Sequence, residues 1–278
     1  MSSIHTNASA MSALSTLKGI NKSLSETQNR ISSGLKIESG KDNAAYFKIS
    51  ETMSGDSSIY KAIDESLTLT QNAVSTARLG AETVVDLAKE FVERVAFAQG
   101  GTDETRADVQ LELDALVARI TTTIDQSTFN GKDLVNGSAT VTVVTGISRN
   151  ASGVISTTSV TFNEQDLGAI LSALSGIDLS AASTSALMET ALQDAEAQLG
   201  LAVESATALG IAESSIEMQK EFLGELTDRI DAGVGSMIDA DMEEEAAKLQ
   251  ALQVQQQLAT QALAIANQSP QNILSLFQ

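Results

Sequence analysis

The final thirty residues, Leu249 to Gln278, carry no charged side chain, although the chain of 278 residues has a formal net charge of -19 at pH 7. The first seventeen, Met1 to Leu17, also lack Lys, Arg, Asp and Glu. Both ends follow helical periodicity. A chain that strips charge from helices at both ends reserves them for burial, because bare apolar helices in water are an aggregation liability. The expected partners are the opposite end of the chain and neighbouring copies of the same protein.

The C-terminal helix has more apolar surface than one core needs. Ala251, Val254, Leu258, Ala262 and Ile265 form one stripe. Leu249, Leu252, Ala259, Leu263 and Ala266 form a second, about 110° away around the helix at roughly 100° per residue. What remains is a narrow strip of Gln250, Gln253, Gln257, Thr260 and Gln261, polar groups that enter a crowded interior without the desolvation cost of an ion. Such a helix is built to be surrounded. At the other end, Ile4, Ala8, Met11, Leu14, Leu17, Ile20, Leu24 and Ile31 recur at three- and four-residue spacing and supply its mate. Assembly is expected to rest on Ile4, Met11, Leu14, Leu17 and Leu24 at one end, and on Leu249, Leu252, Val254, Leu258, Leu263 and Ile265 at the other.

The rest of the chain is also helical in pattern. Thr70, Val74, Ala77, Ala81, Val84, Ala88, Phe91, Val95 and Ala98 alternate steps of four and three, the period of a coiled coil. Ala195, Ala202, Leu209, Ile216, Leu223, Ile230 and Met237 recur every seven residues. A third helix is expected from Glu104 to about Ser127, with Val109, Leu113, Leu116, Ile120 and Ile124 inward and Thr102 or Asp103 as its N-cap. Only residues 139–147 and 153–162 depart from this: rich in Val, Thr and Ile around the turn-forming Ser148 to Ser152, they predict a β-hairpin. The fold class is mainly α, an elongated antiparallel helical bundle or coiled coil with a small β-hairpin and paired N- and C-terminal helices. Gly233 and Gly235 mark an expected joint before the last helix.

Composition removes most other functions. With aromatics at 3%, no Trp and one Pro, the chain suits long packed helices. No Cys means no disulfide, thiolate metal site or cysteine nucleophile, and His5 alone cannot build a Ser-His-acid triad or a histidine-rich zinc site. An enzyme is not expected, and neither is a cofactor or a metal. From Asn150 onward three basic residues, Lys220, Arg229 and Lys248, face eighteen acidic ones, which excludes a nucleic-acid partner that needs clustered cations. No apolar run of membrane-spanning length occurs, so no membrane partner is expected, and export would not use an ordinary cleaved signal. The acidic run at Asp239, Asp241, Glu243, Glu244 and Glu245 reads as a helix start favoured by the N-terminal dipole, not as a cation site.

Three motifs carry a family resemblance. Ser33-Gly34-Leu35-Lys36-Ile37-Glu38-Ser39-Gly40-Lys41-Asp42-Asn43-Ala44-Ala45, ending in Ile49-Ser50, resembles the N-terminal signature of bacterial flagellin. Phe129 to Leu134 is similar to the turn after its second long helix, and the tail from Leu252 to Leu258, then Ala264 to Gln268 and Ile273 to Phe277, is similar to its C-terminus. The short form with this tail resembles alphaproteobacterial flagellins, and Tyr46, Phe47 and Lys48 depart from the small residues the family usually carries there. The resemblance implies a homopolymer, the flagellar filament, located outside the cell. It implies as further partners the flagellar type III export apparatus, a chaperone, the filament cap and hook-junction proteins. A hook-filament junction protein is the alternative reading. Residues 1–35 and 240–278 would form the paired helices of an inner tube, 36–136 and 164–239 a surrounding helical rod, and 137–163 a short variable tip. O-linked sugars would sit on Ser148, Ser152, Ser156, Thr157 and Thr158.

Overall fold

The computed structural model describes residues 7–150, 153–180 and 184–275, with side chains described up to 268. Among the described residues there are six helices and a two-stranded hairpin: α1 Ala8–Ser33, α2 Gly40–Ala98, α3 Asp103–Gln126, β1 Thr140–Arg149, β2 Ile155–Asn163, α4 Leu167–Ser175, α5 Ser185–Ile238 and α6 Met242–Ser275. They divide into two compact units, Met1–Ser57 with Asp228–Gln278, and Ser58–Thr227. The predicted mainly α class with one hairpin and paired terminal helices is what the structure has.

In the unit 58–227 the predicted heptads form the core. Val74, Ala77, Ala81, Val84, Ala88, Phe91, Val95 and Ala98 of α2 are buried, as are Ala195, Ala202, Leu209, Ile216 and Leu223 of α5. The five predicted inward residues of α3 join them, and Thr102 caps α3 by accepting from the Thr105 amide. Hydroxyls enter these seams without an unpaired group, because Thr70, Ser205 and Thr227 each donate to the carbonyl one turn back. Gly80 permits the closest approach of α2 to the end of α3: a Cβ there would overlap the Ser127 hydroxyl and lie 2.6 Å from the Ser127 Cβ.

Between α3 and the hairpin the chain reverses at Asn130-Gly131, both at positive φ (49 and 75), with Phe129 and Lys132 exchanging backbone hydrogen bonds of 3.1 and 2.9 Å. The strands pair antiparallel from Thr140↔Asn163 to Arg149↔Ile155, with a bulge between Val144 and Gly146. The extra residue at the bulge, Thr145, is buried, and its carbonyl accepts from Gln219 of α5, while Tyr60 of α2 donates to the Ile147 carbonyl at 3.0 Å. The hairpin is thereby docked on both long helices.

Within residues 164–239 the structure adds a detail: the nine-residue α4 is set off from α5 by Gly176 and a non-helical stretch in which Ile177 and Leu179 are buried and the Leu179 amide donates to Gln110 of α3. One expectation needs correction. The joint before the last helix is not at Gly233 and Gly235, which α5 traverses as helix. It falls at Asp239–Asp241, where Leu35 and Asp239 form a β-bridge and Asp241 caps α6 through the Glu243 and Glu244 amides at 2.9 and 3.2 Å.

Candidate assembly surfaces on the terminal helices

α1 and α6 pair antiparallel within the unit formed by both ends of the chain. Asn7 starts α1, accepting from the Ala10 amide at 3.0 Å while its own amide group donates to the Ala266 carbonyl at 2.8 Å. Burial follows a heptad seam: Ala10, Ala13, Leu17, Ile20, Leu24, Thr27 and Ile31 on α1, and Glu245, Leu249, Leu252, Gln256, Ala259, Leu263 and Ala266 on α6. Asn21 and Gln256 join across the pair at 2.7 Å.

The predicted assembly residues therefore separate into two sets. Leu17, Leu24, Leu249, Leu252 and Leu263 lie half-buried in the seam. Met11 (65% exposed), Leu14 (43%), Val254 (55%), Leu258 (58%) and Ile265 (69%) face away from it. Ile4 lies outside the described residues. The inward phase of α1 is also shifted from the expected one, since Ala8, Met11 and Leu14 point outward and Ala10 and Ala13 take their place. Alanine on both faces made the two phases equivalent in the sequence. The polar strip of Gln250, Gln253, Gln257, Thr260 and Gln261 is exposed, which gives α6 three distinct faces.

At the root of the pair the end of α1 and the start of α6 are clamped together. Gly34 ends α1 at φ 75, its amide reaching the Arg30 carbonyl at 2.8 Å. The Ala240 amide donates to the Gly34 carbonyl at 2.9 Å, and the Lys36 and Ile37 amides converge on the Ile238 carbonyl. Asp42 ties the following turn, accepting from the Glu38 and Ser39 amides and the Ser39 hydroxyl, and these bonds hold its carboxyl below the usual range. Asn43 then restarts the helix by accepting from the Ala45 and Tyr46 amides. The segment Ser33 to Ala45 thus combines a left-handed helix stop, a backbone bridge, a carboxylate staple and a helix cap within thirteen consecutive positions.

One member of the acidic run behaves differently from the helix start expected of it. Glu245 is only 6% exposed; its Oε1 accepts from Arg30 Nη1 at 3.1 Å and lies 3.5 Å from Lys248 Nζ. Burial by itself would push this carboxyl up, but hydrogen bonds from Arg30 and Thr27 and the charges of Lys248 and Arg30 leave it below its ordinary value. Sequence reasoning missed this pair. The available signal was that Glu245 shares the heptad phase of Leu249, Leu252 and Ala259. Among the described residues no cluster able to hold a metal ion occurs, and no helix is long and apolar enough to cross a membrane.

Residues 4–140 match the bacterial flagellin N-terminal helical region and residues 189–277 the bacterial flagellin C-terminal helical region. The chain is 37% identical over 281 residues to a flagellin of Brucella melitensis, covering all of both chains. The chain belongs to the bacterial flagellin family. A second flagellin, FljM of Caulobacter vibrioides, is 34% identical over 283 residues, covering all of this chain and 99% of that one. Among solved structures, a chain described as a flagellar hook-associated protein of Vibrio parahaemolyticus shares the fold, with a TM-score of 0.52 at 15% identity over 72% of this chain and 99% of that chain. Flagellins are structural proteins, and the alphaproteobacterial relatives are matched over their full length. On the hairpin of this flagellin, Ser148, Ser156, Thr157 and Thr158 are exposed, and Ser152 lies outside the described residues.

Proposed function

We propose that this flagellin is the subunit that polymerises into the extracellular filament of the bacterial flagellum, and that the outward stripes of α1 and α6 are its assembly surface. The observation that carries the reading is the unpartnered half of the terminal helix pair, in the stretches that carry no charge: Met11, Leu14, Val254, Leu258 and Ile265 remain exposed after α1 and α6 have met. Burying one such side chain returns about 1.5–3 kcal/mol, so a contiguous stripe offsets the cost of ordering two helices. A surface that fits a different patch on the next copy propagates as a helical array instead of closing. Residues 1–35 and 240–278 supply the inner tube, 36–136 with 164–239 the helical rod around it, and 137–163 the variable outer tip.

The flagellar type III apparatus exports the chain unfolded, and a chaperone covers the charge-free ends until then. The filament cap and hook-junction proteins meet the same helices at the two ends of the polymer. O-linked sugars attach to the exposed hydroxyls of the hairpin; the intact mass of filament protein checks this, and an unmodified mass removes it. The deciding experiment compares seeded growth of the full-length protein with that of a truncation lacking 240–278. Long filaments from the full chain alone support the reading. Short complexes or soluble monomer from both favour the hook-filament junction protein.

A further inference from the structure

α6 carries two apolar stripes of similar composition, and hydrophobic burial is non-directional, so it does not decide which of them meets α1. In the structure the choice is made: Leu249, Leu252, Ala259 and Leu263 turn inward, and Val254, Leu258 and Ile265 turn outward. Glu245 stands at the root of α6 in the inward phase, with 249, 252, 256, 259, 263 and 266 following it at heptad spacing. It is buried against Arg30 of α1 at 3.1 Å with Lys248 at 3.5 Å, yet its Oε2 is buried with no hydrogen-bond partner. An ion pair with an orphaned oxygen is a weak source of stability, because desolvating the charges offsets their attraction. The best-attested use of such a pair is to fix one helix arrangement among several that apolar contacts leave nearly equal.

We propose that Glu245 and Arg30 are positioning residues that select the face of α6: by holding the carboxylate against the guanidinium they commit the Leu249 stripe to α1 and leave the Leu258 stripe for the next subunit. In the rotated arrangement Ala247, which shares the phase of Val254 and Leu258, replaces Glu245 opposite Arg30; Arg30 loses its carboxylate and Glu245 keeps only Lys248 of its own helix. The backbone clamp at Gly34 and Ala240 holds the end of α1 close to the start of α6 but leaves the rotation of α6 to side chains. The assembly consequence rests on the filament reading above.

The test uses full-length protein in seeded growth, with paired cysteines as reporters, which is clean in a chain without native Cys. N21C/Q256C reports the observed face, since those side chains are in hydrogen-bond contact, and N21C/V254C reports the rotated one. R30M/E245M removes the charges but keeps apolar bulk. It is expected to stay helical with unchanged or higher thermal stability, to form both disulfides, and to need at least about tenfold more protein for growth. The reversed pair R30E/E245R is expected to restore growth and the single disulfide. Normal growth of R30M/E245M with only the 21–256 disulfide would overturn the proposal, as would loss of its helix content, which would make the pair an ordinary stabilising contact. If the unmutated chain itself fails to grow from seeds, the filament reading fails, and the disulfide pattern still decides face selection.

Discussion

At the scale of single residues, two positions carry conformational or electrostatic demands that their neighbours do not share. Gly34 stops α1 at φ 75, and a Cβ there would meet nothing within 4 Å. The cost of Gly34→Ala is therefore backbone strain alone, about 1–2 kcal/mol, and should appear as a lower denaturation midpoint without a change in the native fold. Glu245 titrates below its ordinary value, so folding favours its charged form. The stability this contributes is present at neutral pH and disappears as pH falls below the ordinary glutamate range, about pH 4, through the lower folded value. Arg30 and Lys248 are the charged groups in contact with it. Acid titration of helix content should show this loss in the unmutated chain and a flatter profile in Glu245→Gln; identical profiles would remove Glu245 from the account.

Packing between elements depends on where backbones come close. Gly80 lets the end of α3 sit against α2, and Ser127 cannot move aside cheaply because it is buried and its hydroxyl donates to the Thr123 carbonyl at 2.6 Å. Gly80→Ala should cost about 1–3 kcal/mol by overpacking, read from chemical denaturation. Adding Ser127→Gly should recover part of it, a coupling that distant sites would not show. The hairpin follows a related logic: the bulge at Thr145 points its carbonyl at Gln219, and Gly146 would crowd Thr158 at 2.9 Å if it bore a Cβ. Strand character was legible from Val and Thr enrichment. The bulge was not, because it answers to α2 and α5, which are distant in sequence.

For the molecule as a whole, the division of apolar residues into seam and outward stripe predicts two different failures from similar substitutions. Leu258→Asp places a charge on the outward face, where the free subunit tolerates it, and should abolish filament growth while leaving α1–α6 pairing intact. Leu263→Asp buries a charge in the seam and should break the pairing itself, costing helix content in the soluble chain as well as growth. Light scattering for growth and circular dichroism for helix content separate the two. Equal helix loss in both variants would mean that the seam and the outward stripe are not distinct.

The heptads of α2, α3 and α5 and the existence of a hairpin were legible along the chain, because each is a local periodicity repeated over many residues. The charge-free ends also pointed to burial, since a long helical pattern without any charge is an aggregation liability in water. Their phase was not legible. On α6 two stripes are equally apolar, and on α1 alanine flanks both faces, so pattern alone left the rotation open. The short α4 escaped notice because nine residues are too few for a period to declare itself. The tertiary structure decided these points by bringing together residues far apart in sequence: Arg30 with Glu245, Gly34 with Ala240, and Gln110 with Leu179. Apolar burial set how much surface each helix had to hide, and directional polar contacts set which side it hid.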